Sequence, residues 1–214
     1  MEVVIAGGGL TGLSAALELH EHQVTIVEAK QEIGSPTRSP GYIADTSLIP
    51  IDEFDFLQLK NNYFRRAWLE KQMAIQAIEN GVTILVKTRI VGFEEGLLLR
   101  GAGPGAPSLL RGDVFIDTLG QKSIYPGWSG NSEILRDFEM IRPPTRKIFE
   151  WQGGITNTNL DWMRADGTSE IWWRNEPPIE PEGGWLERMS GEHPIELGAD
   201  AAITRGIESA RKVN

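Results

Sequence analysis

Residues 2–28 read EVVIAGGGLTGLSAALELHEHQVTIVE, and no other stretch of the chain restricts its fold so tightly. Val3, Val4 and Ile5 form a short apolar run that enters a glycine turn. Leu10, Leu13 and Leu17 follow at helical spacing, and VTIV closes the unit as a second strand. Gly7 and Gly9 permit a tight turn and the close approach of a pyrophosphate to backbone N–H groups, while Gly12 lets the helix lie against the strand. Leu10 and Thr11 open that helix, whose N-terminus would receive the phosphates. Glu28 stands 21 residues after Gly7, with Ala29 beside it, where a carboxylate accepts hydrogen bonds from both hydroxyls of an adenosine ribose. A 2′-phosphate would be repelled there. The seven residues Gly7, Gly9, Leu10, Thr11, Gly12, Glu28 and Ala29 are therefore expected to bind a dinucleotide, either NAD or FAD.

Composition removes several other chemistries. A formal charge of −9 without clustered Lys or Arg argues against nucleic acid as a partner. No apolar run reaches 18 residues, so no transmembrane segment is expected, and a strand starting at residue 2 leaves no room for a cleaved signal; the expectation is a cytoplasmic protein. With no cysteine there is no disulfide, thiolate metal site or redox dithiol, so electron transfer would have to use a bound cofactor. His20 and His22 flank a helix end, where a cation complements the dipole, and His193 precedes Pro194 with no second ligand nearby. No metal site follows. No GxSxG motif is present either, so a hydrolase nucleophile is missing.

Beyond Glu28 the segment AKQEIGSPTRSPGYIADTSLIPIDEFDF keeps neither helical nor alternating periodicity, and an uncommitted loop of this length is usually functional. Arg38 within it suits either a phosphate or flavin contact or a solvated surface. Residues 62–80 predict a helix with Phe64, Trp68, Ile75 and Ile78 on one stripe and Asn80-Gly81 as its stop. VTILV predicts a strand. TRIVGFEEG, LLLRG and SLLRGD predict a three-stranded meander that leads into a buried strand ending at VFIDTLG.

Four segments carry a resemblance to a known family. VVIAGGGLTGLSAALEL with Glu28, EIGSPTRSPGYI, RAWLEKQMAIQAIENG and GDVFIDTLGQKS together resemble FAD-dependent oxidoreductases of the geranylgeranyl reductase and p-hydroxybenzoate hydroxylase type, over about residues 1–123. The resemblance implies FAD rather than NAD, with Arg38 and Arg66 among its contacts, Ile90 offering backbone to adenine and Gly120 closing the phosphate side. Leu119 replaces the aspartate of the family's DG pair, and Ser39 stands where the reductases have a cysteine. GADAAITRGIESARKV is the nearest match to the family's later GD segment, with Asp200 as its aspartate and Gly206-Ile207 opening a helix. The tail ARKVN reads as a frayed end.

Residues 125–189 hold six of the seven tryptophans. KIFEWQGGITNT and SEIWWRNEP predict strands joined around the hairpin signal Asp166-Gly167. In the resembling family such a sheet roofs the flavin, and EIWWRNEP is similar to a segment that lines a prenyl channel. Trp172 and Trp173 are thus expected at the substrate, although a small sheet also uses indoles simply to build its core. They face opposite sides of a strand, so at most one lines a pocket on a given face.

The expected fold class is α/β: a Rossmann-like FAD/NAD(P)-binding three-layer β-β-α domain with a β-meander, plus a small antiparallel substrate-side sheet. The expected division is 1–123 for the FAD-binding region, 124–190 for the Trp-rich sheet, and 191–214 for a C-terminal segment and helix returning to the first region. The expected activity is that of an FAD-dependent reductase or dehydrogenase acting on a hydrophobic or aromatic small molecule. An aromatic monooxygenase, a reduced non-catalytic nucleotide-binding module and an NAD-dependent dehydrogenase stay open as alternatives. Spacing singles out no catalytic residue from among Tyr42, Tyr125 and the carboxylates, and the sequence leaves a homodimer open.

Overall fold

The computed structural model describes residues 1–35, 39–51, 59–101, 107–119, 139–143 and 146–213. Within them the chain divides into two compact units. The first comprises Met1–Ser35, Glu70–Thr145 and Ala202–Asn214, and the second Pro36–Leu69 and Arg146–Ala201. No described helix is long and apolar enough to cross a membrane.

The first unit is built on a parallel sheet. β1 (Glu2–Ala6), α1 (Leu10–Glu18) and β2 (Gln23–Val27) form the predicted β-α-β unit. Then α2 (Arg66–Glu79) leads to β3 (Thr83–Leu85), and β7 (Val114–Asp117) and β8 (Glu139–Ile141) complete five strands in the order β3-β2-β1-β7-β8. Strands buried on both faces read as apolar runs, as VVIA and VFI do. Between β3 and β7 lie β4 (Arg89–Phe93), β5 (Leu97–Arg100) and β6 (Leu109–Leu110), an antiparallel meander. Ile90, Leu97 and Leu99 from the meander share one core with Val4, Ala6, Val27 and Phe115 of the parallel sheet. On α3 (Asp200–Ala210), Gly206 comes so close to the Thr11 carbonyl and Ser14 of α1 that a Cβ would overlap both. Meander, parallel sheet and helices thus form the expected three layers.

Helix α2 is shorter than its sequence pattern suggests, and its buried stripe is different. Asn61 and Asn62 take positive φ values of 49° and 67°, so the helix begins only at Arg66. Leu69, Met73 and Ala77 are fully buried at i, i+4 and i+8, whereas Ile75 and Ile78 are 47% and 57% exposed. The larger side chains, Ile75 and Ile78, thus lie on the solvent face and not in the buried stripe. The stop is as predicted: Gly81 has φ 88°, and the N–H groups of Gly81 and Val82 close back on the carbonyls of Ile78 and Ala77.

The second unit holds a three-stranded antiparallel sheet, β10 (Ser169–Trp173), β9 (Phe149–Thr156) and β11 (Glu187–His193), in that order. Its centre is made possible by two glycines. A Cβ on Gly153 would strike the Trp172 indole, and one on Gly154 would strike Trp185, so adjacent glycines seat indoles on the two opposite faces. Strand β11 is an addition to the expected sheet, since ERMSGEH carries no apolar run. It pairs with β9 along its whole length, from Glu187 opposite Ile155 to His193 opposite Phe149.

The C-terminal segment differs from expectation in two respects. Gly206-Ile207 does not open the helix, which already starts at Asp200; Gly206 lies in its middle, where only glycine lets it meet α1. The last residues are not frayed, because Ala210 and Val213 are buried and Arg211 pairs with Glu18 at 3.1 Å.

Candidate functional site

The glycine turn is the best-built site of the first unit. Gly7 adopts φ +106°, which a side chain rarely tolerates. Its N–H donates to Val27 at 2.9 Å, and Thr118 Oγ1 donates to the Ala6 and Gly7 carbonyls at 2.8 and 3.0 Å. A Cβ on Gly12 would overlap the Gly7 carbonyl, so this glycine is what lets α1 start so near β1. Gly9 caps the helix without a side-chain hydrogen bond, and a Cβ there would have open space, with nothing within 4 Å. The amides of Leu10, Thr11 and Gly12 have no intrahelical acceptor in that first turn. An uncapped helix N-terminus over open space, with backbone rather than side chain at its rim, fits an incoming pyrophosphate.

Glu28 lies at the carboxyl end of β2 and is pinned by two backbone donors. Gly8 N–H reaches Oε2 at 2.9 Å and Lys30 N–H reaches Oε1 at 2.8 Å. The carboxylate therefore faces the glycine turn in a fixed orientation, and Ala29 follows it in the chain. Ile90 sits in β4 opposite Leu99 and is 6% exposed. Arg38 and Gly120 lie outside the described residues, as does Tyr125.

Arg66 and Asp200 belong to the second unit, together with the two tryptophans. Arg66 Nη1 donates to the Pro40 carbonyl at 3.3 Å. Asp200, the first residue of α3, accepts the N–H groups of Ala44 (2.9 Å) and Asp45 (2.8 Å). The loop after the fingerprint is thus held residue by residue: Phe64 N–H donates to the Gly41 carbonyl, Ile43 N–H donates to the Asn62 carbonyl, and the Tyr42 carbonyl accepts from Ala199 N–H. Trp172 is half-buried and donates its indole N–H to Glu170 at 2.7 Å, with His193 edge-on to it at 5.1 Å. Trp173 faces the other way, buried against Trp185 at 5.2 Å and beneath the Arg188 guanidinium. Of the pair, Trp172 is the more accessible.

Two buried carboxylates, Asp117 and Glu170, lie outside the site residues expected from the sequence. Asp117, 2% exposed at the end of β7, accepts Arg142 Nε at 3.0 Å and Nη2 at 2.9 Å on one oxygen, and Leu119 N–H at 3.0 Å on the other. Glu170 is buried on β10, where burial pushes its carboxyl above the ordinary range against the lowering influence of Trp172, Arg164, Gly41 and Arg66. The available signal was a charge inside an apolar run, VFIDT for Asp117 and SEIWW for Glu170. Among the described residues no group of His, Asp or Glu could hold a metal ion.

Comparison with known proteins agrees with this geometry. The sequence model of the family described as FAD binding domain matches residues 2–44, which indicates FAD as the cofactor. No curated protein matches the chain by sequence. Among solved structures, a geranylgeranyl bacteriochlorophyll reductase-like protein from Thermoplasma acidophilum shares the fold at TM-score 0.71 and 16% identity, over 98% of this chain and 77% of its own. A flavoprotein/dehydrogenase from Cytophaga hutchinsonii gives 0.58 at 13% identity, over 98% and 76%. CabE, an aromatic hydroxylase from angucycline biosynthesis, gives 0.58 at 14% identity, over 99% of this chain but 61% of its own. The chain thus has the Rossmann-like fold of FAD-dependent oxidoreductases and spans about three-fifths to three-quarters of these structures.

Proposed function

We propose that this protein is an FAD-dependent reductase or dehydrogenase that acts on a hydrophobic small molecule. One observation carries the reading: the uncapped N-terminus of α1 at Gly9, open to solvent and faced by the pinned Glu28 carboxylate, within the stretch matched by the FAD-binding model. In this reading Gly7, Gly9 and Gly12 shape the phosphate turn, the amides of Leu10 and Thr11 meet the pyrophosphate, and Glu28 with Ala29 receives the adenosine ribose. Ile90, Arg66 and Asp200 are further candidates for cofactor contact. Bound FAD supplies hydride or electron transfer; the chain supplies orientation, dryness and electrostatics.

The half-buried face around Trp172, with Phe149, Trp151, Met189 and His193 in register across β9 and β11, supports an apolar or aromatic substrate. The likeness to a geranylgeranyl reductase-like protein favours a reductive reaction on a prenyl-type compound. The second reading is an aromatic monooxygenase, favoured by the same indole-rich face and the likeness to an aromatic hydroxylase.

The deciding experiment is the visible spectrum of the purified protein, with identification of the nucleotide released by heat. Two flavin bands and free FAD are expected. Anaerobic reduction of the bound flavin, followed by reoxidation with prenyl acceptors or with oxygen and a phenol, then separates reductase from monooxygenase. A colourless protein that added FAD does not reconstitute would overturn the assignment.

A further inference from the structure

We propose that Arg174 and Lys147 form an anion-recognising end to the Trp172 face of the antiparallel sheet, so that the molecule bound there has an apolar body and an oxyanionic end, a carboxylate or a phosphate. The inference rests on the reading of that face as the substrate surface and adds a charge requirement to it.

Two cations converge on one ring. Phe149 opens β9, and Arg174 follows directly on β10. The Arg174 guanidinium carbon stands 4.2 Å from the Phe149 ring centre and the Lys147 ammonium nitrogen 5.4 Å, while the Trp151 ring centre lies 6.0 Å from Arg174. Both basic residues are exposed, and among the described residues neither has an ion-pair or hydrogen-bond partner. Acids are plentiful in a chain of formal charge −9, and the exposed Arg111 and Arg211 find theirs in Glu95 and Glu18. Arg174 and Lys147 have an aromatic ring instead.

The register keeps acids away from this end. Directly opposed residues of an antiparallel pair share a face, so Phe149, Trp151, Gly153, Trp172, Met189 and Gly191 stand on one side. Glu150 and Glu192, opposite each other, belong to the other side. The two acids in register with the Trp172 face, Glu170 and Glu187, are both opposite Ile155, at its far end, and Glu170 is already held by Gly41, Arg164 and Trp172. Along one face, β10 and the residue after it thus run from buried acid through indole to exposed base, a polarity that orients a ligand. A guanidinium resting on an aromatic ring spends its π face on the ring and keeps its edge N–H donors for a carboxylate or phosphate, and the lysine adds a second positive charge. An apolar wall that ends in a few convergent polar groups is the usual design for fixing one orientation of a bound molecule.

The test measures decanoate, decyl phosphate and decanol binding by calorimetry at neutral pH, below micellar concentrations, on the full chain supplied with FAD. Wild type should bind at least one of the two anions about tenfold or more tightly than decanol, with an affinity that falls as salt rises. The tighter anion identifies carboxylate or phosphate as the recognised group. In the double variant Arg174→Gln with Lys147→Gln, whose two sites are exposed, anion affinity should drop to within about twofold of decanol while decanol binding stays at the wild-type level. Equal affinity for all three probes in wild type, or an anion preference that survives in the double variant, overturns the anion site and leaves the apolar substrate face standing. A wild-type protein that binds none of the three overturns both.

Discussion

Glu170 accepts the backbone N–H of Gly41 at 3.2 Å across 129 positions of sequence. The carbonyl of the same peptide bond, on Pro40, accepts from Arg66 at 3.3 Å, so one peptide unit is gripped at both polar ends by side chains of opposite charge. The other Glu170 oxygen takes Arg164 Nη1 at 2.9 Å, and Trp172 shares the first. One buried carboxylate therefore fixes a loop, an indole and a buried arginine. Glu170→Ala strands all three donors and should cost about 3–5 kcal/mol in denaturant unfolding, the range for breaking a buried ion pair.

The same residue makes a pH prediction with a definite sign. Burial raises the Glu170 carboxyl above its usual 4.5, so between that value and its raised one the folded protein holds more proton than the unfolded chain. Stability contributed by this group is complete at low pH and declines as pH rises through that interval. Arg164, Arg66, Asp166 and Glu187 also act within this cluster but remain in Glu170→Gln. Thermal melts across pH should show the decline in wild type and a flatter profile in Glu170→Gln; parallel profiles would contradict the assignment.

Gly9 and Gly12 should separate binding from folding. Gly12→Ala puts a methyl group into the Gly7 carbonyl, backbone against backbone, and should destabilise by about 1–3 kcal/mol or more. Gly9→Ala meets nothing within 4 Å, and Gly9 has an ordinary φ of −81°, so unfolding should shift by less than about 1 kcal/mol. FAD retention should nonetheless fall sharply, because in the proposed site the new methyl would occupy the approach of the pyrophosphate. Equal flavin content in Gly9→Ala and wild type would remove the phosphate from this turn.

The two halves of the chain differ in how openly they declare themselves, and the reason is physical. Gly7, Gly12 and Glu28 act through backbone geometry within one local unit, so their spacing alone conveys the design. The antiparallel hairpin of β9 and β10 was legible from alternation and from Asp166-Gly167. Strand β11 was not, because ERMSGEH pairs as an edge with Arg188, Ser190 and Glu192 exposed, leaving no apolar run to read. On α2, Ile75 and Ile78 drew attention to the solvent face, while the buried stripe uses Ala77 as readily as Leu69. The charges Asp117, Arg142, Arg164 and Glu170 are partners through tertiary contact, which no periodicity encodes.

Asp166 supplies an acid-side test in the second unit. Despite the raising effect of burial, its carboxyl is lowered from 3.8 to about 2 by hydrogen bonds from the Thr168 hydroxyl, Arg65 and the Thr168 amide, aided by Arg164. A lowered carboxyl stabilises the fold above its ordinary pKa and loses that contribution as pH falls from about 4 to about 2. A shift of this size is worth about 2.5 kcal/mol unscreened and about 1 kcal/mol at an exposed position. Asp166→Asn should therefore lower stability by about 1 kcal/mol at pH 7 and flatten the acid limb of the Tm profile.

In the proposed cofactor site, Glu28 would decide which dinucleotide the fold accepts. Because Gly8 and Lys30 amides pin its two oxygens at 2.9 and 2.8 Å, the carboxylate cannot swing away from a bulky or charged ribose substituent. It favours a ribose whose hydroxyls donate and opposes a 2′-phosphate by like charge. Glu28→Gln keeps an acceptor for one amide but removes the charge, so ADP affinity should fall about tenfold while affinity for 2′-phospho-ADP stays level or rises. Glu28→Arg should go further, losing FAD on a desalting column and preferring the 2′-phosphate form outright. The ratio of the two dissociation constants, rather than either alone, reads the ribose contact, since a general loosening of the turn would weaken both ligands equally. An unchanged ratio in both variants would move the ribose away from β2.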